Sequence, residues 1–349
     1  MDSTAWYATR EQVKHALDSK ATARDDQRID TAIAAASRGI EGLCHRRFYP
    51  VVASRSWDWP NAQGAAAWRL WLDDSELIDL TSITSGGRPI DTTTVLLEPN
   101  RTGPPYNRIE LNLGDSAAFG GGPTTQRDIT ITGLWGYRDD ESPAGTAATG
   151  AGSTATSLTV TDAASVGVGT VLRAGTERLI VTGRRMADTG QSLQADLATA
   201  ASAVTVQVAD GSGYQVGEVL LVDGERMLIV DIAANTLVVK RAWDGSVLAA
   251  HTTGATIHAP RTLTVTRGAL GTAAAGITAG DPLVRWDPPP LVNELCVAEA
   301  LVIVLQGSAG WARTAGTGEA QREVTGRGLA QLRDQMYTVH GRHLRHRSV

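Results

Sequence analysis

Helical periodicity occupies only the two ends of this 349-residue chain, and more than two hundred residues of strand-and-turn pattern lie between them. Near the start, Thr9 and Gln12 have the spacing of a capping box, in which each side chain satisfies the other residue's free backbone N–H. Val13, Ala16 and Leu17 follow at helical intervals. After the polar "DSKATARDD", Asp25 or Asp26 is placed to cap a second helix. Ile29, Ala32, Ile33, Ala36, Ile40 and Leu43 then form one apolar stripe. Gly39 and Gly42 weaken that helix, and close packing against another backbone would account for them. Pro50 ends the helical section. Beyond "DPPPL", Leu291, Val292, Leu295, Ala298, Leu301, Val302 and Leu305 make a broad apolar face that needs cover, and the Ile29–Leu43 stripe is its natural partner. A last helical pattern has Leu329, Leu332, Met336 and Val339. The expected class is therefore α+β: a small helical hub made from both ends of the chain, a sandwich- or barrel-like β section, and an inserted repeat-built β domain. The boundaries fall at 1–50, 51–144, 145–285 and 286–349.

Between the helical ends, "RDITITGLWGY" alternates with the two-residue period of a half-buried strand, and other short strands are closed by Gly, Pro or Asn. Trp57, Trp59, Trp68, Trp71 and Trp135 cluster there. Core or inter-subunit packing is favoured over a base- or sugar-stacking platform, because the rings alternate with charged residues. "ESPAGTAATGAGSTATS" (141–157) consists mostly of small residues and reads as a linker. Two internal echoes follow. Gly169, Val171, Leu172, Glu177 and Arg178 recur 48 residues later as Gly217, Val219, Leu220, Glu225 and Arg226. Arg241, Gly245 and Gly254 recur 26 residues later as Arg267, Gly271 and Gly280. Glu177 and Glu225 could be imagined as a catalytic carboxylate pair. Their place after hairpin turns favours turn or cross-strand charges.

Few functions leave a trace. The net charge of −5 does not favour tight binding to nucleic acid or an anionic membrane. No apolar run reaches the ~18 residues of a spanning helix, and the polar start does not read as a signal peptide. Cys44 and Cys296 read as buried free thiols. There is no phosphate loop, nucleophile elbow, paired CxxC or HExxH. "DGSGYQVGE" (210–218) offers too few oxygens, wrongly spaced, for calcium. His340, His343 and His346 lack a carboxylate or thiolate partner for a metal. Neither an enzyme nor a cofactor is expected. The basic C-terminal cluster is the one candidate partner-binding segment, through Arg342, His343, Arg345, His346 and Arg347; a simply disordered end is the plain alternative.

The stretch "YATREQVKHALD…ARDDQRIDTAIAAASRGIEGLCHRRFYP" (Tyr7 to Pro50) resembles the N-terminal helices of head-to-tail connector, or adaptor, proteins of long-tailed double-stranded DNA phages, most of all those of actinobacterial hosts. "RLWLDDSELIDLTSITSGG", "EPNRTGPPYNRIEL" and "ITGLWGY" look like the following section, and the helix from Leu291 fits the family's third helix. The resemblance covers roughly 7–137 and 288–339. "TVTRGALGTAAAGITAGDPLV" (264–284) is similar to β modules of phage structural proteins, and the insertion at 145–285 is where this chain departs from the shorter family members. The resemblance implies a homo-oligomeric ring, typically of twelve copies, in the neck of the virion, formed by subunits that wait in the host cytoplasm. The partners implied are the portal protein on one side and a tail-side connector or tail terminator protein on the other. Double-stranded DNA would pass through without sequence-specific binding, and no membrane is involved. The basic tail would dock on the portal or by the DNA channel. Three rival readings are another neck, tail or decoration protein, a helix-turn-helix DNA binder, and glycan binding by the inserted domain through Trp243. An over-long turn and an alanine-rich second helix weaken the DNA binder.

Overall fold

The computed structural model describes residues 4–17, 25–60, 66–101, 103–308, 314–315, 322–323 and 327–342. The fold is α+β, with two helices at each end and three antiparallel sheets, the largest of ten strands, besides a two-residue ribbon (314–315 with 322–323). Helix α1 (Arg10–Leu17) begins with the capping box: Thr9 N–H donates to Gln12 Oε1 at 2.9 Å and Gln12 N–H to Thr9 Oγ1 at 3.2 Å. Helix α2 (Asp26–Cys44) buries Ile29, Ala32, Ile33, Ala36, Ile40 and Cys44. Asp25 stands at its N-cap position but makes no side-chain cap. The first turn is instead held from α1, where Arg10 pairs with Asp26 (3.1 Å) and Asp30, and Lys14 with Asp26 (2.6 Å). Acidic residues in that first turn also suit the helix dipole. Close backbone packing is not the reason for the two glycines. A Cβ on Gly39 would meet only the Glu299 carboxylate at 3.5 Å, and one on Gly42 would meet nothing.

Helix α3 (Pro290–Ser308) lies against α2, and α4 (Arg327–His340) closes the hub. Val292, Leu295, Cys296, Ala300, Val304 and Met336 share one core with the α2 stripe. Contrary to the sequence expectation, α3 is long and apolar enough to cross a membrane by length and composition alone. It is nonetheless fixed by polar contacts. Glu299 accepts from Arg333 of α4 at 2.7 Å, and Asn293 donates to the Tyr7 carbonyl at 2.7 Å.

The first β section comprises β1 (Val51–Trp57), β2 (Arg69–Trp71), β3 (Leu77–Ser85), β4 (Arg88–Ile90), β5 (Val95–Glu98), β6 (Arg108–Leu111) and β7 (Ile129–Trp135). These form two sheets, ordered β1-β7-β3-β4 and β2-β6-β5, over one core that includes Leu70, Leu77, Ile83, Ile109, Ile131 and Trp135. Trp57, Trp59 and Trp68 pack on that core, and the Arg108 guanidinium stacks on Trp71 at 5.2 Å. The tryptophans serve packing here.

The large sheet contains β8 (Glu141–Thr146), β9 (Ser157–Thr159), β10 (Val171–Ala174), β11 (Glu177–Ser192), β12 (Thr205–Gln207), β13 (Val219–Val222), β14 (Glu225–Ala233), β15 (Thr236–Lys240), β16 (Thr256–Thr266) and β17 (Pro282–Trp286). The two sequence echoes turn out to be parts of a single nested duplication. In one copy Arg173 pairs with Val284 and Ala174 with Leu283; in the other Leu221 pairs with His258 and Val222 with Ile257. Leu158 opposite Leu263 likewise corresponds to Val206 opposite Leu237. Copy two closes its β14–β15 hairpin between Ala233 and Thr236. The equivalent residues of copy one, Arg185 and Thr262, also pair, but there the strands run on through a register shift and carry copy two at their far end. Residues 186–261 are thus threaded into the hairpin tip of copy one. Each copy curls until its edge strands meet, through Ala148 N–H to Thr159 O (2.7 Å) in copy one and Gln194 N–H to Gln207 O (2.9 Å) in copy two. The result is two small barrels that share β11 and β16, each with its own core.

The segment expected to be a linker is therefore structural. Strand β8 pairs with β17, Ala151 bridges Ile277, and Ala144 and Ala147 are buried. Small residues let these backbones approach closely but leave no apolar alternation to read. Copy one also abuts the hub. Arg10 N–H donates to Val168 O (3.1 Å), Val168 N–H to Glu11 Oε2 (2.8 Å) and Val52 N–H to Leu270 O (2.9 Å). Val171, Ile180, Leu270 and Trp286 belong to the hub core. A Cβ on Gly271 would lie 1.9 Å from the Val52 carbonyl, so only glycine permits this contact.

Candidate interaction surface and buried charge clamps

The duplication puts the same ion pair inside each barrel. Glu177 opens β11 and Glu225 opens β14, and both are fully buried. Arg267, one residue past β16, grips Glu177 through two N–H groups at 2.8 and 2.7 Å; Arg241, one residue past β15, grips Glu225 at 2.7 and 2.7 Å. Two backbone N–H groups complete each carboxylate: Gly268 and Ala275 for Glu177, Ala242 and Ala249 for Glu225. The remaining guanidinium donors reach carbonyls of Gly152, Ala155 and Ala275 in copy one, and of Ala198, Ala203 and Ala249 in copy two. The loops so tied are rich in alanine and glycine, and a charge-assisted fork fastens them to the barrel.

The two glutamates are cross-strand charges, as the sequence suggested, but buried ones, each paired with an arginine just past the neighbouring strand. They do not form a catalytic pair, since each sits in its own barrel with its oxygens engaged. Burial pushes the Glu225 carboxyl up, but Arg241, the Ala249 and Ala242 N–H groups and His251 outweigh it and hold it at about 2. In Glu177 burial is likewise outweighed, by Arg267 and the N–H groups of Ala275 and Gly268, and the carboxyl lies below its ordinary value.

Copy two adds a histidine. His251 is buried, with Nδ1 2.7 Å from Asp223 Oδ2 and Nε2 3.0 Å from Glu225 Oε2. An Asp–His pair is two-thirds of a triad, but the nitrogen that a triad aims at its nucleophile points here to a clamped carboxylate. Ile277 and Gly175 occupy the corresponding places in copy one. Asp210 of the calcium-like stretch spends Oδ1 on the Ser212 N–H and hydroxyl. Both cysteines are free and buried, and burial pushes each thiol up to about 11. Among the described residues, no three His, Cys, Asp or Glu side chains group as a metal site.

Of the predicted partner-binding residues, only Arg342 is described; His343, Arg345, His346 and Arg347 lie outside the described residues. Arg342 is fixed to the hub, with its N–H on the Cys44 carbonyl (3.0 Å) and its guanidinium 3.4 Å from Glu76. Trp243, the motive for glycan binding, sits against the hub: its ring lies 5.8 Å from that of His15, with Lys240 Nζ 4.9 Å from its centre. Apolar side chains do reach solvent on the C-terminal helices, at Ile303, Tyr337 and Val339. Comparison with protein-family models, with curated proteins and with solved structures finds no match.

Sequence reasoning missed the clamps because their partners lie 90 residues apart in copy one and 16 in copy two. The signal was nevertheless present: the echo of 48 carries the glutamates and the echo of 26 the arginines. A residue pair repeated in two registers is what a duplicated ion pair leaves behind.

Proposed function

We propose that the chain is a structural protein of a virion: a head-to-tail adaptor that forms a ring, of twelve copies by resemblance, between portal and tail around the DNA channel. The observation that carries this reading is the hub itself. Both ends of the chain meet in one helical wedge (α2 against α3, closed by α4), in the two regions that resemble the connector family. Ile303, Tyr337 and Val339, exposed on α3 and α4, suit contacts between copies that close by rotation. A net charge of −5 suits a channel that DNA traverses without holding. The mechanism is mechanical: one ring is matched to the next, the channel is sealed and the genome retained. The portal, a tail-side connector or terminator, and passing duplex DNA are the proposed partners, with the neck as the final location.

Immunogold electron microscopy of purified particles, with antibody to this chain, tests the proposal. Label at the head–tail junction is expected. Label along the capsid or tail would move the assignment to a decoration or tail protein. A soluble subunit that binds duplex DNA tightly at physiological salt would refute the channel role. Glycan binding is less favoured, because Trp243 packs toward the hub.

A further inference from the structure

A cleft of about 340 Å³ opens where the C-terminus of α2 meets the first β section, lined by residues that include Arg46, Arg47, Arg55, Asp74 and Glu76. Its charges do not balance. Arg55 lies on the β1 side that carries Ala53 and Trp57, a register where an apolar residue is expected. Its guanidinium stacks on Trp135 at 4.6 Å, and it has no hydrogen bond or ion pair among the described residues. Arg47 stacks on Tyr49 at 5.4 Å and likewise has neither. Arg46 and Arg342 share one buried carboxylate, that of Glu76, at 3.1 and 3.4 Å. Arg46 Nε is buried and unpartnered. Glu41, also at the cleft, is already engaged by Arg38 and the Tyr7 hydroxyl. Asp74 is exposed and forms no ion pair among the described residues. Three guanidinium groups, those of Arg46, Arg47 and Arg55, line the cleft, and Arg342 draws on Glu76 from outside it; with Glu41 taken by Arg38, these four cations share only Glu76 and Asp74, an excess of two positive charges.

Gathering like charges in a partly desolvated cleft is costly unless an anion enters. The strain falls on Arg55, where burial first, then Arg47 and Arg342, favour loss of its proton against the pull of Asp74. Guanidinium forks fit the oxygens of phosphate two at a time, and a dianion cancels the excess where a single carboxylate would leave half of it. We propose that this cleft is a phosphate-group site, formed by Arg46, Arg47 and Arg55. The volume exceeds what a phosphate alone needs, so the ligand is either free phosphate or the phosphate end of a small phosphoester. The inference does not depend on the adaptor reading.

Isothermal titration of the full chain with inorganic phosphate, against acetate and chloride at matched ionic strength, tests it. Saturable one-to-one phosphate binding is expected, at least tenfold tighter than acetate. Arg55→Met should weaken it at least tenfold. Arg47→Met, at an exposed position whose loss does not threaten the core, should weaken it several-fold, and Arg47→Lys should recover only part. Thymidine monophosphate separates the sources. Tighter binding than phosphate identifies a phosphoester ligand, and equal binding identifies free phosphate. If phosphate binds no better than acetate, or Arg47→Met and Arg55→Met both leave its affinity unchanged, the site does not exist.

Discussion

Replacing Arg267 by Met removes the cation from a fully buried carboxylate while keeping most of the side-chain volume. Glu177 would retain only the backbone donors Gly268 and Ala275. Losing one partner of a buried pair costs about 3–5 kcal/mol, most of it the penalty on the charge left behind. The carbonyls of Gly152, Ala155 and Ala275 also lose their donor, which places Arg267→Met toward the upper end. Arg241→Met is the internal control. There His251, 3.0 Å from Glu225, remains beside the carboxylate, so the cost should lie nearer the lower end. The double variant Glu177→Leu/Arg267→Met removes both charges and should recover at least half of the single-variant loss. Urea titration followed by hydrogen exchange of β10–β11 and of β13–β14 reads the two barrels separately, which matters because a two-barrel chain need not unfold in one step. Single variants that each cost less than about 1 kcal/mol, or a double variant no better than Arg267→Met, would refute the view that these pairs fasten the loops.

Acid should act through the same groups. The Glu225 carboxyl, held at about 2 in the folded state against about 4.3 unfolded, contributes on the order of 3 kcal/mol above pH ~4.3, and this is lost as pH falls toward 2. Glu225→Gln should flatten that limb of the stability–pH profile measured by urea unfolding. Excising residues 186–261 and closing Arg185 to Thr262 with a two-residue Asn-Gly turn should leave the hub and copy one folded, because that pair already has hairpin register; loss of cooperative melting in the circular dichroism would refute the nesting. Cys44 and Cys296, with thiols at about 11 and buried, should resist Ellman's reagent at pH 8 and react only in denaturant; rapid reaction of the native chain would show that one of them is accessible.

The hub was legible because its signals are local. The Thr9–Gln12 box, the Ile29–Leu43 stripe and the apolar face after Leu291 each fit within a few turns of helix. The strands around Ile129–Trp135 were equally plain, since one face is buried and the other is not. What escaped depended on long-range pairing. Strand β8 reads Glu-Ser-Pro-Ala-Gly-Thr, with no apolar alternation, and its membership of the sheet comes from β17, more than 130 residues away. Asp25 had the right chemistry for a cap, but Arg10 and Lys14 hold the neighbouring Asp26 and Asp30 and settle the helix start. Both echoes were visible, yet that they describe one unit threaded into another emerges only where Arg185 meets Thr262. The arginine cleft is lined by residues from Glu41 to Gly136, and no short window of sequence brings them together.

The way the second barrel is carried has a mechanical consequence. A single flexible tether would let it swing, whereas two neighbouring antiparallel strands form a stiff strut. A pull along β11 and β16 loads many ladder bonds in parallel, while a sideways push concentrates at the register shifts near Val181–Gly183 and Arg185–Ala187. The second barrel should therefore resist tension, and a sideways push has to break its Trp243–His15 and Lys14–Asp244 contacts with α1 before it bends at those bulges.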